Sequence, residues 1–411
     1  HKRSIPPRRP AMRRLPRSVG RTVGRTVGSR RSQLAFGAFA ACVIVAIHIS
    51  AASDMSSGDI ASEAVGYVGT PAWKNPQKFK PGEVWLDTDG KPIQAHGGGM
   101  LVHGDTFYWY GENKDGKTYQ PDPRFPNRVD VIGVSCYSSK DLHAWKNEGV
   151  VLPASPDPQS DLHYDRVVER PKVLYNDRTG KFVMWMHIDN VMYQYARTGI
   201  AVADRPEGPF TYLRSISPHG FDSRDMTLFK DDDGTGYLIY SSENNQVTHI
   251  GPLTDDFLDV AGPHVRAMVN QSRESPAVFK HNGVYYMVGS GCSGWAPNRA
   301  EVFAAKEMMG TWSSLGDPAR GGTKEDRAIT FESQSTHVLP LPGEGGKFIF
   351  MADRWRQYDL QDSRFVWLPL QVSEPHLEDP QLGKAKEEEK LLWASVYFRW
   401  LPEWSTEQMY G

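Results

Sequence analysis

One short pattern recurs five times along the chain: a polar head, two apolar residues four and five positions later, a Gly-containing turn, and an aromatic run. The copies run from His96 to Trp109, Glu169 to Trp185, Arg224-Asp225 to Tyr240, Glu274 to Met287 and Gln334 to Met351. The heads at 96, 169, 224, 274 and 334 are separated by one blade of a four-stranded propeller with variable loops. Each copy reads as a β-hairpin whose turn is HGD, DRTG, DDDGTG, HNG or GEGG. The expected fold is therefore all-β, a five-bladed β-propeller. Ring closure then gathers Glu169, Asp225, Glu274 and Gln334 at one end of the central channel. Charged groups placed there lose hydration and repel one another, a cost that points to use.

Length and composition agree with one large domain: 411 residues, 39% hydrophobic and 11% aromatic, suit a propeller filling most of the chain. The formal net charge of −2 gives no basis for nucleic-acid binding. Its distribution is uneven, since residues 1–33 form a basic, Pro- and Gly-rich arm without an acid, expected to be disordered. The apolar run from Leu34 to Ala52 follows, with no Asp, Glu, Lys or Arg. Its length suits a single anchor helix, and the preceding arginines place the rest of the chain in the lumen. A cleaved signal peptide leading to secretion, or a mitochondrial presequence, are the alternatives. Residues 53–73 read as a polar stem, 74–373 as the propeller, and 374–411 as a tail packed on its flank. The run from Phe365 to Val372 is expected to complete the final blade or clasp the first. Cys136 and Cys292 are the one pair outside the apolar run that could bridge, and the sequon at Asn270 lies just before Glu274.

The motifs QAHGGG (94–99), YWYGE (108–112), ERPKV (169–173), SRDM (223–226), ESPAVF (274–279), SQS (333–335) and VWLPL (366–370) together resemble glycoside hydrolase family 43, in its exo-β-1,3-galactanase branch. The resemblance implies hydrolysis with inversion, in which an acid protonates the leaving oxygen and a second group activates water about 6.5–9.5 Å away. It implies Glu274 as general acid and Asp225 as the carboxylate that orients it and raises its pKa by like-charge repulsion. An aspartate heads the first blade in most of the family, whereas this chain has Gln94-Ala95-His96 there. In the branch a blade-five glutamine, matching Gln334, fills that gap by positioning water, with Glu112 and Glu169 as rival bases. Otherwise Glu112 and Glu169 grip sugar hydroxyls.

Aromatic rings stack on the C–H face of galactose. Trp109, Tyr110, Tyr193, Tyr240, Trp295 and Trp355 are candidates for the rim, of which Tyr193 and Trp295 are preferred, with Asn245 beside them. Neither metal nor cofactor is expected: the histidines lack ligand spacing, and DDDG at 231–234 reads as a hairpin turn. The implied substrate is a β-1,3-linked galactan such as an arabinogalactan chain, and the implied address is the Golgi lumen, as a type II membrane protein. An arabinofuranosidase or xylosidase on the same scaffold, or a non-catalytic carbohydrate-binding propeller, are the alternatives.

Overall fold

The computed structural model describes residues 71–120, 128–343, 345–373 and 395–410. The basic arm, the expected anchor at 34–52 and almost all of the stem lie outside these residues. Among the described residues no helix is long and apolar enough to cross a membrane.

The fold is a five-bladed β-propeller, with four blades of four antiparallel strands and a fifth sheet of five. The inner strands of blades 1 to 5 are His96–His103, Val167–Asn176, Met226–Lys230, Arg273–His281 and Gln334–Pro340. Each is paired through a tight turn to its neighbour, and the expected hairpins are all present. In blade 4 the turn is Asn282-Gly283, with φ of 47° and 75° between the paired residues His281 and Val284. Two consecutive positive φ values are what a two-residue hairpin twisting with its strands requires.

Four of the five inner strands carry a register shift immediately after the head, between His96 and Gly99, Glu169 and Lys172, Glu274 and Ala277, and Ser335 and His337. In three of them the next residue is left-handed: Gly97 at φ 59°, Arg170 at 56° and Ser275 at 53°. A bulge of this kind re-aims one side chain out of the period-two alternation. Here it turns the heads toward the channel.

Five apolar clusters fill the seams between blades. Tyr108, Val134 and Cys136 of blade 1 meet Val173, Phe182 and Met184 of blade 2, and equivalent layers join blades 2 to 3, 3 to 4 and 4 to 5. The fifth seam is the richest in indole: Trp109 and Trp145 of blade 1 pack on Trp367 of blade 5, with Trp73, Phe79 and Trp404 beside them. The Trp109 and Trp367 rings lie 4.7 Å apart, and those of Phe79 and Trp404 4.6 Å. Trp109, Tyr110 and Tyr240 are thus core residues, 1%, 1% and 0% exposed, and not rim platforms. Their strands alternate, and alternation alone does not say which face meets the neighbouring blade.

Ring closure uses both ends of the described chain. Arg364–Ser373 is the third strand of blade 5, and Ser395–Arg399 pairs antiparallel with it as the fourth. The tail therefore adds a strand to the ring, and does more than pack on its flank. Phe79 and Trp404 exchange backbone hydrogen bonds of 2.7 and 3.1 Å. Buried Thr406 donates from Oγ1 to the Trp73 carbonyl at 2.5 Å and accepts from the Asn75 amide at 3.2 Å. Thr406→Val removes both of these hydrogen bonds, so it should cost about 1–3 kcal/mol. Urea unfolding checks this, with a lowered midpoint and an unchanged slope as the expected result. Cys136 and Cys292 are both free. Cys136 is buried in the seam of blades 1 and 2 and Cys292 is exposed beyond a strand of blade 4, so the one possible bridge does not form.

Candidate active site

The heads of blades 2 to 5 converge on a cavity of about 340 Å³ at one end of the channel. Glu112, Glu169, Tyr193, Asp225, Asn245, Glu274, Trp295 and Gln334 all line it. The preferred site residues are therefore brought together, with Trp355 of the other rim candidates, whereas Trp109, Tyr110 and Tyr240 stay in the core.

Glu274 and Asp225 are joined through the bulge of blade 4. Asp225 Oδ2 accepts from the Ser275 amide at 3.1 Å and from the Ser275 hydroxyl at 2.7 Å, placing its charge beside the Glu274 backbone. Burial, and then the Asp225 carboxylate, push Glu274 up to about 7. Its Oε1 accepts from Asn245 Nδ2 at 2.7 Å and from the Cys292 thiol at 3.1 Å. Asn245 ends a left-handed run, Glu243 to Asn245, with φ of 53°, 58° and 63°. Asp222 holds that run by accepting from the Glu243 and Asn244 amides at 2.8 and 3.0 Å. Asn tolerates this region better than other side chains do.

Glu169 behaves oppositely. Burial favours its neutral form, but His187, Lys114 and Tyr193 outweigh it and hold the carboxyl down to about 2. Tyr193, itself left-handed at φ 53°, donates to Glu169 Oε1 at 2.9 Å. His187 sits between two acids, with Nδ1 3.3 Å from Glu169 and Nε2 3.0 Å from Asp189. Burial opposes its charge, yet these carboxylates raise it to about 9. Glu112 is buried beside Lys114, and burial raises its carboxyl despite that cation.

Arg170 ties these groups together. Its guanidinium lies 2.9 Å from Asp225 Oδ2 and donates to Gln334 Oε1 at 2.6 Å and to the Ser335 carbonyl at 3.2 Å. Its backbone amide donates to Glu112 Oε1 at 3.0 Å. Gln334 Oε1 also accepts from Trp355 Nε1 at 2.9 Å, while its Nε2 donates to Ser290 at 3.0 Å. The amide is thus fixed in one orientation. Trp295 and Trp355 form an edge-to-face pair 5.4 Å apart above it. Glu169, His187 and Asp225 offer atoms within 4.8 Å of one another that could ligate a cation. The Arg170 guanidinium and the charged His187 already supply positive charge there.

The site is a ring of carboxylates in which Glu274 is pushed up to about 7 and Glu169 is held down to about 2, and the model for glycosyl hydrolases family 43 matches residues 96–338, more than half of the chain. The chain belongs to glycosyl hydrolases family 43. Within that family it is similar to a solved β-1,3-galactosidase bound to galactodeoxynojirimycin, at 37% identity over 80% of this chain and 100% of that one, with a TM-score of 0.69. It is also similar to an exo-β-1,3-galactanase of Phanerochaete chrysosporium bound to galactose, at 38% identity over 71% of this chain and 64% of the galactanase, with a TM-score of 0.63. A β-D-galactofuranosidase of Aspergillus niger is 30% identical over 34% of this chain. The chain spans 46% of that relative's length at this match.

In this family-43 chain, three residues that line the cavity were given no role from the sequence, Arg170, His187 and Cys292, while Trp355 was a rim candidate that was not preferred. Arg170 had a signal, because it occupies in blade 2 the position that Gly97 takes in blade 1, next to the head. His187 lies directly across the hairpin from Glu169. Cys292 sits in a loop beyond a strand end, where no periodicity places a side chain.

Proposed function

We propose that this protein is an inverting exo-glycosidase that releases galactose from the non-reducing ends of β-1,3-galactan, such as the chains of arabinogalactan. The observation that carries this reading is the split between neighbouring carboxyls: Glu274 pushed up to about 7, Glu169 held at about 2. Glu274 is then protonated at mildly acidic pH and acts as general acid, donating to the glycosidic oxygen. Asp225 keeps it protonated and, through Ser275, fixes its backbone. Gln334, oriented by Arg170, Trp355 and Ser290, positions the attacking water. A carboxyl at about 2 is a weak proton acceptor, so Glu169 grips substrate hydroxyls. Glu112, raised by burial, is the better recipient of the water's proton. Tyr193 and Asn245 complete the sugar's polar contacts, and Trp295 supplies an apolar face.

A cavity of about 340 Å³ suits a terminal sugar with part of its neighbour more than an internal stretch of polymer. The β-1,3-galactosidase and exo-β-1,3-galactanase activities of the similar solved proteins support the linkage. The match to a galactofuranosidase makes furanosides the control substrates. Proton NMR of the first product from β-1,3-galactobiose tests the reading: α-galactose should form first, and β-galactose as first product would rule out inversion. Preference for β-1,4- or β-1,6-galactobiose, or for an aryl arabinofuranoside, would reassign the substrate.

The pH profile gives a further expectation. The like charge of Asp225 raises Glu274, so Asp225→Asn should lower its pKa. The enzyme needs Glu274 protonated, hence the alkaline limb of kcat/KM moves to lower pH, by roughly one unit. A limb that stays in place would separate Asp225 from the acid.

A further inference from the structure

We propose that Cys292 is a positioning residue for the acid, its thiol joining Asn245 on Glu274 Oε1 so that the transferable proton resides on Oε2. The inference rests on Glu274 being the general acid. A protonated carboxyl has one carbonyl oxygen, which accepts, and one hydroxyl oxygen, which donates. Two donors meet the same oxygen, Asn245 Nδ2 at 2.7 Å and Cys292 Sγ at 3.1 Å. They define Oε1 as the carbonyl, and the proton is left on the other atom.

The placement of the thiol is built into blade 4. Glu274 pairs across the hairpin with Ser290, and Cys292 follows the strand end at Gly291. Asn298 clamps that end, accepting from the Gly291 amide at 2.7 Å and donating to its carbonyl at 2.9 Å. Asn245 Nδ2 lies 3.5 Å from the sulfur as well, closing a three-membered cluster. Burial and the nearby Glu274 raise the thiol to about 11, so it remains an S–H donor across the working range. A thiol is a weak donor. It orients the carboxyl with little stabilisation of the anion, which a hydroxyl at the same place would stabilise more. The other charged groups facing Glu274 are Asp225 from blade 3 and Arg170 and Glu169 from blade 2, and they are the same in every variant below.

The test follows Glu274 directly. Protein labelled with ¹³C at the glutamate carboxyl is titrated by NMR as the parent, Cys292→Ser and Cys292→Ala, with the Glu274 resonance identified by its loss in Glu274→Gln. The midpoints should rise in the order Ser, Cys, Ala, each step about half a pH unit. The alkaline limb of kcat/KM on β-1,3-galactobiose should follow the same order, with kcat reduced several-fold in Cys292→Ala and restored in Cys292→Ser. Coincident midpoints, or Ser and Ala moving together, would overturn the proposal. Ordered midpoints in a protein that cleaves no galactobiose would keep the positioning role and refute the galactanase reading. Cleavage with coincident midpoints would do the reverse.

Discussion

Glu274→Gln should lower kcat on β-1,3-galactobiose by about 10²–10⁴-fold while leaving the disaccharide's binding measurable by calorimetry. Glutamine keeps the shape of the side chain but carries no transferable proton. The size of the loss should depend on the leaving group. A sugar leaving as an alkoxide needs the proton, whereas an acidic phenolate departs without it. An aryl β-galactoside with a good leaving group should therefore lose far less activity than galactobiose in the same variant. Equal losses on the two substrates would deny Glu274 the acid role, and retained hydrolysis of galactobiose would remove it altogether.

Arg170→Met should damage both stability and rate. The guanidinium is 7% exposed and touches Asp225 of blade 3, Gln334 and Ser335 of blade 5, and, through the backbone, Glu112 of blade 1. Removing one partner of a buried ion pair leaves the other charge uncompensated, at a cost of about 3–5 kcal/mol. Chemical denaturation measures that loss. The pH profile carries a separate signature: Arg170 lowers the pKa of Glu274, so its removal should move the alkaline limb to higher pH, opposite to Asp225→Asn. Lysine should not restore the variant, because a single ammonium cannot meet Asp225, Gln334 and the Ser335 carbonyl together. Limbs moving in the same direction in the two variants would break the electrostatic account.

Much of this centre was legible in the chain because an inner strand repeats its pattern. The heads Glu169, Glu274 and Gln334 stand at the start of three of five similar hairpins, and closure of a ring places them together whatever the loops do. What could not be read depended on orientation. Tyr110 and Tyr240 were candidates for the rim, yet both hydroxyls donate to backbone carbonyls inside the structure, to Pro206 at 2.7 Å and Pro218 at 3.0 Å. Alternation places them on a face without naming the face. Arg170 had a position beside the head as its signal, but its inward direction depends on the bulge, where its φ is 56°. The fourth strand of blade 5, Ser395–Arg399, follows a charged run in sequence and pairs over a distance that no local signal encodes.

That closure sets the order in which the protein can be made. Asn75 and Thr406, bonded at 3.2 Å, are 331 positions apart, and the outer strand of blade 5 is translated after all the residues that line the pocket. Blades 1 to 4 can form as local units while the ribosome is still working, but the seam holding Trp109 against Trp367 lacks Trp404 until residue 404 has left the exit tunnel. A nascent chain therefore carries an unsealed, indole-lined edge through most of its synthesis.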